Sequence, residues 1–138
     1  MAMMTGVMLM KSRKNRILFL LGALGYGAVE LLWRGRTHWS MLLAGGLCLL
    51  LFSRIEERFS RQPLLYRVVL CALTVTGVEL LFGLVFNLLL GMKVWDYSGV
   101  PLNFLGQICL PYTTLWGFLA LPALVLVSYL GRKLDACT

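Results

Sequence analysis

Four apolar runs, 17–33, 39–53, 68–91 and 111–130, alternate along the chain with short polar or basic segments. A bilayer core of about 30 Å needs about 20 helical residues to cross it. Each run is therefore expected to form a transmembrane helix. The second is short, because only 17 residues separate Arg36 from Arg54. That helix should stand nearly upright, thin the bilayer, or let its flanking Arg side chains snorkel. The pattern predicts an all-α integral membrane protein of four transmembrane helices. Residues 1–16 form a basic leader, 17–133 a single membrane domain and 134–138 a tail.

Polar positions inside the runs follow helical spacing. Thr76, Glu79, Gly83, Asn87 and Gly91 recur three or four residues apart, on one stripe of the third helix. Gly22, Tyr26, Glu30 and Arg34 form a similar stripe on the first. A carboxylate or amide facing hydrocarbon costs several kcal/mol, on the order of 2–7 for an uncompensated amide, and Gly lets backbones approach. The two stripes are expected to turn inward and face each other. Val29-Glu30-Leu31-Leu32-Trp33 is also echoed 49 residues later by Val78-Glu79-Leu80-Leu81-Phe82. The echo fits either a duplicated helix pair or a chance likeness between leucine-rich segments.

Between the third and fourth runs lies a polar island within residues 94–117, containing Trp95, Asp96, Tyr97, Ser98, Asn103, Gln107, Thr113 and Thr114 among Gly99, Pro101, Gly106 and Pro111. Its apolar part, 102–110, is too short to span and is expected to lie in the interface or to enter the bilayer as a re-entrant segment. Pro111 should open the fourth helix, where its missing N–H does no harm. Pro122 should kink it.

Composition agrees with the pattern. Hydrophobic residues make up 59% of the chain and charged ones 14%, against about 25% charged in a soluble domain, and the mean hydropathy is +0.82. The net charge of +7 raises nucleic acid as a partner, but the thirteen Lys and Arg sit in short segments between apolar runs. They read as topology determinants, and no nucleic-acid partner is expected. Ten of them lie in the leader, the 54–67 segment and the C-terminal pair Arg132 and Lys133; Arg34, Arg36 and Lys93 are the rest. The bias predicts a plasma-membrane protein with both termini cytoplasmic and the island outside. The leader followed by Ile17–Trp33 mimics a signal peptide, but a 17-residue run with no A-x-A site reads better as a retained signal-anchor.

Glu30 and Glu79 are ionisable groups inside spans, which marks them as functional candidates. Glu30 lies one turn before Arg34, so a helix-end ion pair is an equal reading. Glu79 is read as facing a substrate or as a structural hydrogen-bonding or neutral carboxyl. In the loop 34–40, Thr37 is expected to cap the second helix, Trp33 and Trp39 to sit in the interface, and His38 to have a surface or capping role in preference to a metal-binding one. Residues 54–67 read as an amphipathic helix extension on acidic headgroups or as a docking surface. Cys48, Cys71, Cys109 and Cys137 form no CxxC pair and no metal-ligand spacing. Neither a metal nor a cofactor is expected, and a structural disulfide is not.

Trp95-Asp96-Tyr97-Ser98, followed by Pro101, Asn103, Gly106, Ile108-Cys109-Leu110 and Trp116-Gly117, resembles the signature of a family of small bacterial membrane proteins, the ABC-transporter permeases of type IV. Glu79 with Gly83, and Glu30 near the end of the first helix, resemble it too, and the likeness covers most of 17–131. The first half departs from the pattern. Gly25-Tyr26-Gly27 stands where the family has a Gly-Trp pair before the first Glu, and Thr37-His38-Trp39-Ser40 replaces a Gly/Pro-rich segment. The chain looks like a divergent branch.

The resemblance implies a permease component moving a small solute or ion. Glu30, Glu79, Asn87, Trp95, Asp96, Tyr97, Asn103 and Gln107 would be its substrate-binding candidates, with Arg34 and His38 supporting the outer loops. No GxxxxGK[ST] phosphate loop is present, so a separate ATP-binding subunit would be the motor. Four helices enclose little volume, which points to a homo-oligomer. The alternative is a non-transporting interaction or sensor protein whose island recognises a lipid, an envelope precursor or a partner helix, and a purely stabilising island is as open a reading. No HExxH or GxSxG motif occurs, so no enzymatic activity is expected.

Overall fold

A computed structural model describes residues 2–136. Its elements are helices α1 (Ala2–Arg34), α2 (Trp39–Phe59), α3 (Leu64–Phe82) and α4 (Leu110–Ala136), a π-helical segment (Gly83–Leu89) that continues α3, and strands β1 (Asn103–Phe104) and β2 (Ile108–Cys109). Among the described residues, four helices are long and apolar enough to cross a membrane, making this a multi-pass membrane protein.

The helices outrun their apolar cores. The basic leader belongs to α1, since no proline interrupts residues 2–34. Lys14 pairs with Glu57 of α2 at 3.1 Å, tying the leader to the bundle. The 54–67 segment is the end of α2, a tight turn and the start of α3, in place of one amphipathic extension. Pro63 opens α3, and the Arg67 guanidinium reaches back to both oxygens of Glu56 at 2.7 and 2.9 Å, closing the turn. At the other end Gly35, with φ +73°, stops α1 in the left-handed conformation that favours glycine.

Two helical hairpins build the bundle, α1 against α2 and α3 against α4, with α2 also packed on α3 and α4. This corrects the expectation that the α1 and α3 stripes face each other. Gly22 and Tyr26 of α1 lie on Gly45 of α2, and Phe19 on Gly46, because those glycines admit a neighbouring backbone where any side chain would collide. The α3 stripe instead faces α4 and the island. Thr76 bonds Thr113 of α4 at 2.7 Å, and its hydroxyl also reaches the Ala72 carbonyl.

Leu18, Phe52, Cys71, Ala120 and Leu124 fill the core. Pro111 occupies the second position of α4, and the helix continues through Pro122. Cys48, Cys71 and Cys109 are buried free thiols, and Cys137 lies outside the described residues.

His38, not Thr37, caps α2. Its backbone is extended (φ −131°, ψ 148°), its Nδ1 accepts the Ser40 N–H at 3.3 Å, and the same nitrogen lies 2.7 Å from the Ser40 hydroxyl. Thr37 Oγ1 is buried without a partner. The helix starts one residue later than the side-chain types suggest, because an imidazole nitrogen serves as acceptor as well as a hydroxyl does. His38→Ala should lower stability by about 1 kcal/mol, as loss of a cap typically does. Thr37→Val should be neutral or stabilising, since it removes an unsatisfied hydroxyl. Thermal unfolding in detergent distinguishes the two, and a greater loss for Thr37→Val would restore Thr37 as the cap.

Candidate functional site

The stripe of Glu79, Gly83 and Asn87 becomes the floor of a closed polar site. Gly83 donates its N–H to the carbonyls of both Glu79 and Leu80, where the α-helix passes into the π-helical segment. A Cβ at Gly83 would stand 2.6 Å from Gln107 Oε1, so glycine is what lets the Gln107 side chain lie on the helix. Four residues on, the Asn87 amide donates to that oxygen at 2.8 Å and accepts the Val94 N–H at 2.7 Å. One side chain thus holds both the start of the 94–109 segment and its return. Gly91, with φ +64°, ends the helix between them.

The island folds over this floor as a lid. The buried Trp95 indole donates to the Gln107 carbonyl at 2.9 Å, and the Gln107 amide donates to the Leu105 carbonyl at 3.0 Å. Tyr97 donates its hydroxyl to Glu79 Oε1 at 3.2 Å and its N–H to the Gly106 carbonyl at 2.7 Å. The 102–110 stretch is the β1–β2 hairpin, not a helix, and Leu102, Phe104 and Leu105 at its turns are exposed. Leu102 and Leu105 both adopt positive φ, which a non-glycine residue rarely does. Asn103 braces them, donating to the Ser98 and Val100 carbonyls and accepting the Gly106 N–H at 3.1 Å.

The lid is stapled to the helices on two sides. Arg34 pairs through Nε with Glu30 Oε2 at 2.6 Å and donates from Nη1 to the Val94 carbonyl at 3.2 Å. The Tyr97 ring stacks on Tyr112 of α4 with centroids 4.7 Å apart and planes at 11°. Tyr112 leads to Trp116, and Trp116 to Tyr26 of α1 at 5.6 Å, so an aromatic ladder descends from the lid into the bundle. Trp116 Nε1 lies beside the Glu79 carboxyl but outside hydrogen-bond geometry, and Glu79 Oε2 is likewise buried without a partner.

The loop's titrating groups follow their surroundings. The Ser98 N–H holds the exposed Asp96 carboxyl below its ordinary range, while burial, and next the Glu79 carboxylate, raise the Tyr97 phenol. Burial likewise raises the Cys109 thiol, against an opposing backbone hydrogen bond from Tyr112.

Of the residues singled out in the sequence, Asn87, Trp95 and Gln107 share one hydrogen-bonded cluster, Tyr97 and Glu79 form a pair that meets it where the Trp95 and Tyr97 rings touch, and the Glu30–Arg34 pair reaches the cluster through Val94. Asp96 and Asn103 are exposed and serve the lid's own turns, and His38 serves α2. Tyr112, absent from the sequence-derived candidates, has a helical-spacing signal in its four-residue offset from Trp116. Among the described residues no three His, Cys, Asp or Glu converge as a metal site would require.

No curated protein and no solved structure matches this chain. One sequence family does, across residues 25–135, which takes in the whole lid, the α3 stripe, Glu30 and Glu79. The chain belongs to that family, described as "Putative ABC-transporter type IV".

Proposed function

We propose that this chain is a membrane-embedded component of an ABC-type transport assembly, and that its lid serves as structure and not as an open solute port. The hydrogen bonds that tie Asn87 and Trp95 to Gln107, and Tyr97 to Glu79, carry the reading, because polar groups spent on anchoring the lid are not offered to a passing solute. The sequence contains no phosphate loop, so ATP hydrolysis falls to a separate ATP-binding subunit. A path for a small solute or ion would form between copies in a homo-oligomer or against that subunit. The basic leader and the 54–67 arginines orient both termini toward the cytoplasm and the lid outward, in the plasma membrane.

A second reading, a non-transporting interaction or sensor protein, is favoured by the lid's tip, where Leu102, Phe104 and Leu105 are more than half exposed. Such side chains would enter a headgroup layer or meet a partner.

Proteoliposomes decide between the two. The chain with its ATP-binding subunit should support ATP-dependent flux that neither supports alone, and Glu79→Gln, which keeps an acceptor for Tyr97, should leave that flux unchanged. Flux lost in Glu79→Gln would place the carboxylate in the path and overturn the structural lid. No flux with any such subunit, together with a stable crosslinked membrane partner, would abandon transport for the second reading.

A further inference from the structure

We infer that the cleft between α1 and α4 is a binding site for an anionic phospholipid of the surrounding bilayer, with one acyl chain along the cleft and the phosphate at Arg34. The packing leaves this cleft open. The principal partner of α1 is α2, and those of α4 are α3 and α2, so α1 and α4 touch only over a short stretch. At the lid end the Trp33 indole donates to the Tyr112 hydroxyl at 3.4 Å and bridges the gap.

Below that bridge lie two adjoining cavities that share Val29, Trp116 and Leu119 as walls. The deeper one, about 290 Å³, is walled by Gly22, Gly25, Phe52, Ala120, Pro122 and Leu126, with almost no polar surface. The one nearer the lid, about 260 Å³, includes Glu30, Arg34, Tyr97 and Tyr112. Each is close to the lower bound of about 300 Å³ for small-molecule sites. An occupant must therefore be apolar along most of its length and polar at one end.

Free hydrogen-bond donors select the class of head. Arg34 spends Nε on Glu30 and one Nη1 hydrogen on Val94, and no described residue takes its Nη2. A guanidinium with donors to spare suits a phosphate oxygen, which it can bind in a forked geometry. The flanks of the cleft explain the source. Leu24 and Leu32 of α1 and Val125 of α4 are exposed beside it, so its mouth opens where lipid lies and an acyl chain can enter sideways. Gly25 has nothing within 4 Å of where its Cβ would stand, so the space beside it is unfilled by protein. The site requires no flux and stands apart from the transport reading.

The test is photolabelling of the full chain in phosphatidylcholine vesicles containing a phosphatidylglycerol with a diazirine midway along one acyl chain. Adducts should concentrate on residues 21–29 and 119–126, and excess unlabelled phosphatidylglycerol should suppress them while leaving adducts on the opposite face, 65–73, unchanged. Gly25→Leu, which fills open space, should reduce cleft labelling about tenfold. Arg34→Gln should erase an about tenfold preference for phosphatidylglycerol over a phosphatidylcholine probe. The competition in unaltered protein stands whether or not either variant folds. Labelling that merely follows exposure, or that resists competition, would overturn the site. So would a Gly25→Cys protein that forms disulfide-linked dimers and takes no lipid label in the cleft, since a second copy would then be the occupant.

Discussion

Gly45→Val is expected to force α1 away from α2 and to cause one of the largest stability losses of any single substitution in this protein. A Cβ at Gly45 would run into the Tyr26 Cβ and stand 2.7 Å from the Gly22 carbonyl oxygen. The contact is reciprocal, since a Cβ at Gly22 would stand 2.5 Å from the Gly45 oxygen and 2.7 Å from the Leu49 Cβ. These obstacles are backbone atoms and the first carbon of a side chain, which cannot rotate away. Helix association in a membrane rests on close packing and hydrogen bonds, because lipid tails offer apolar side chains an equivalent environment. Separated helices therefore lose contacts without compensation.

Overpacking costs about 1–3 kcal/mol, occasionally more, and two β-branched methyls at such a crossing belong at the upper end. Against a total stability of about 5–15 kcal/mol, that is a large fraction. Thermal unfolding in detergent should show a clearly lowered midpoint. Gly25→Ala is the control: it lies on the facing helix α1 with open space around it, and Ala favours a helix over Gly by up to about 1 kcal/mol. A Gly45→Val midpoint equal to that of the unaltered protein would mean that the two helices are not packed at this crossing.

The contrast between these glycines marks where sequence reasoning stops. Helix number was legible, because apolar runs of 15–24 residues in so apolar a chain have few other uses, while the ends that outrun them were not. The inward stripe of α3 was legible too, since spacing fixes which residues share a face, and Glu79, Gly83 and Asn87 do share one. What each stripe faces was not. Gly22 and Tyr26 make their close backbone crossing on Gly45 of α2, because the choice of neighbour depends on interlocking shapes at particular crossings. No periodicity records that. The capping of α2 was half legible, as a polar side chain at residue 37 or 38. The loop start that selects His38 is set by Gly35 leaving α1 in a left-handed turn.

The island shows the same limit in chemical terms. Its polar residues stand out in an apolar chain whether they bind a ligand or one another, since both uses need the same donors and acceptors. Asn103 illustrates this. An exposed amide in a family-like signature reads as a ligand group, yet its hydrogen bonds go to Ser98, Val100 and Gly106 and hold two leucines at positive φ. Tyr97 differs, joining the exterior turn to Glu79 inside the bundle. The Tyr97–Tyr112–Trp116–Tyr26 ladder then connects the lid to both α4 and α1. A change at the lid has a packed route to the cleft that parts those two helices.

Asn87→Leu should detach the lid with little effect on the helices. The substitution is close in volume, but it removes the acceptor for the Val94 N–H and the donor to Gln107 Oε1, both in a buried setting. Each orphaned group costs about 1–3 kcal/mol, so the pair predicts about 2–6 kcal/mol, concentrated where the 94–109 segment is anchored. The Trp95 indole, held by the Gln107 carbonyl, is the natural reporter. Its near-ultraviolet dichroism should fade and limited proteolysis should cut between 94 and 109, while far-ultraviolet helicity persists. Asn87→Asp keeps the oxygen that receives the Val94 N–H, and Gln107 can turn its amide to donate in return; it should retain more of the Trp95 signal than Asn87→Leu. Equal protease resistance of the lid in the unaltered protein and in Asn87→Leu would show that Asn87 does not hold it. A uniform loss of helicity would show instead that lid and bundle unfold as one unit, with the lid a part of the core and not a cover upon it.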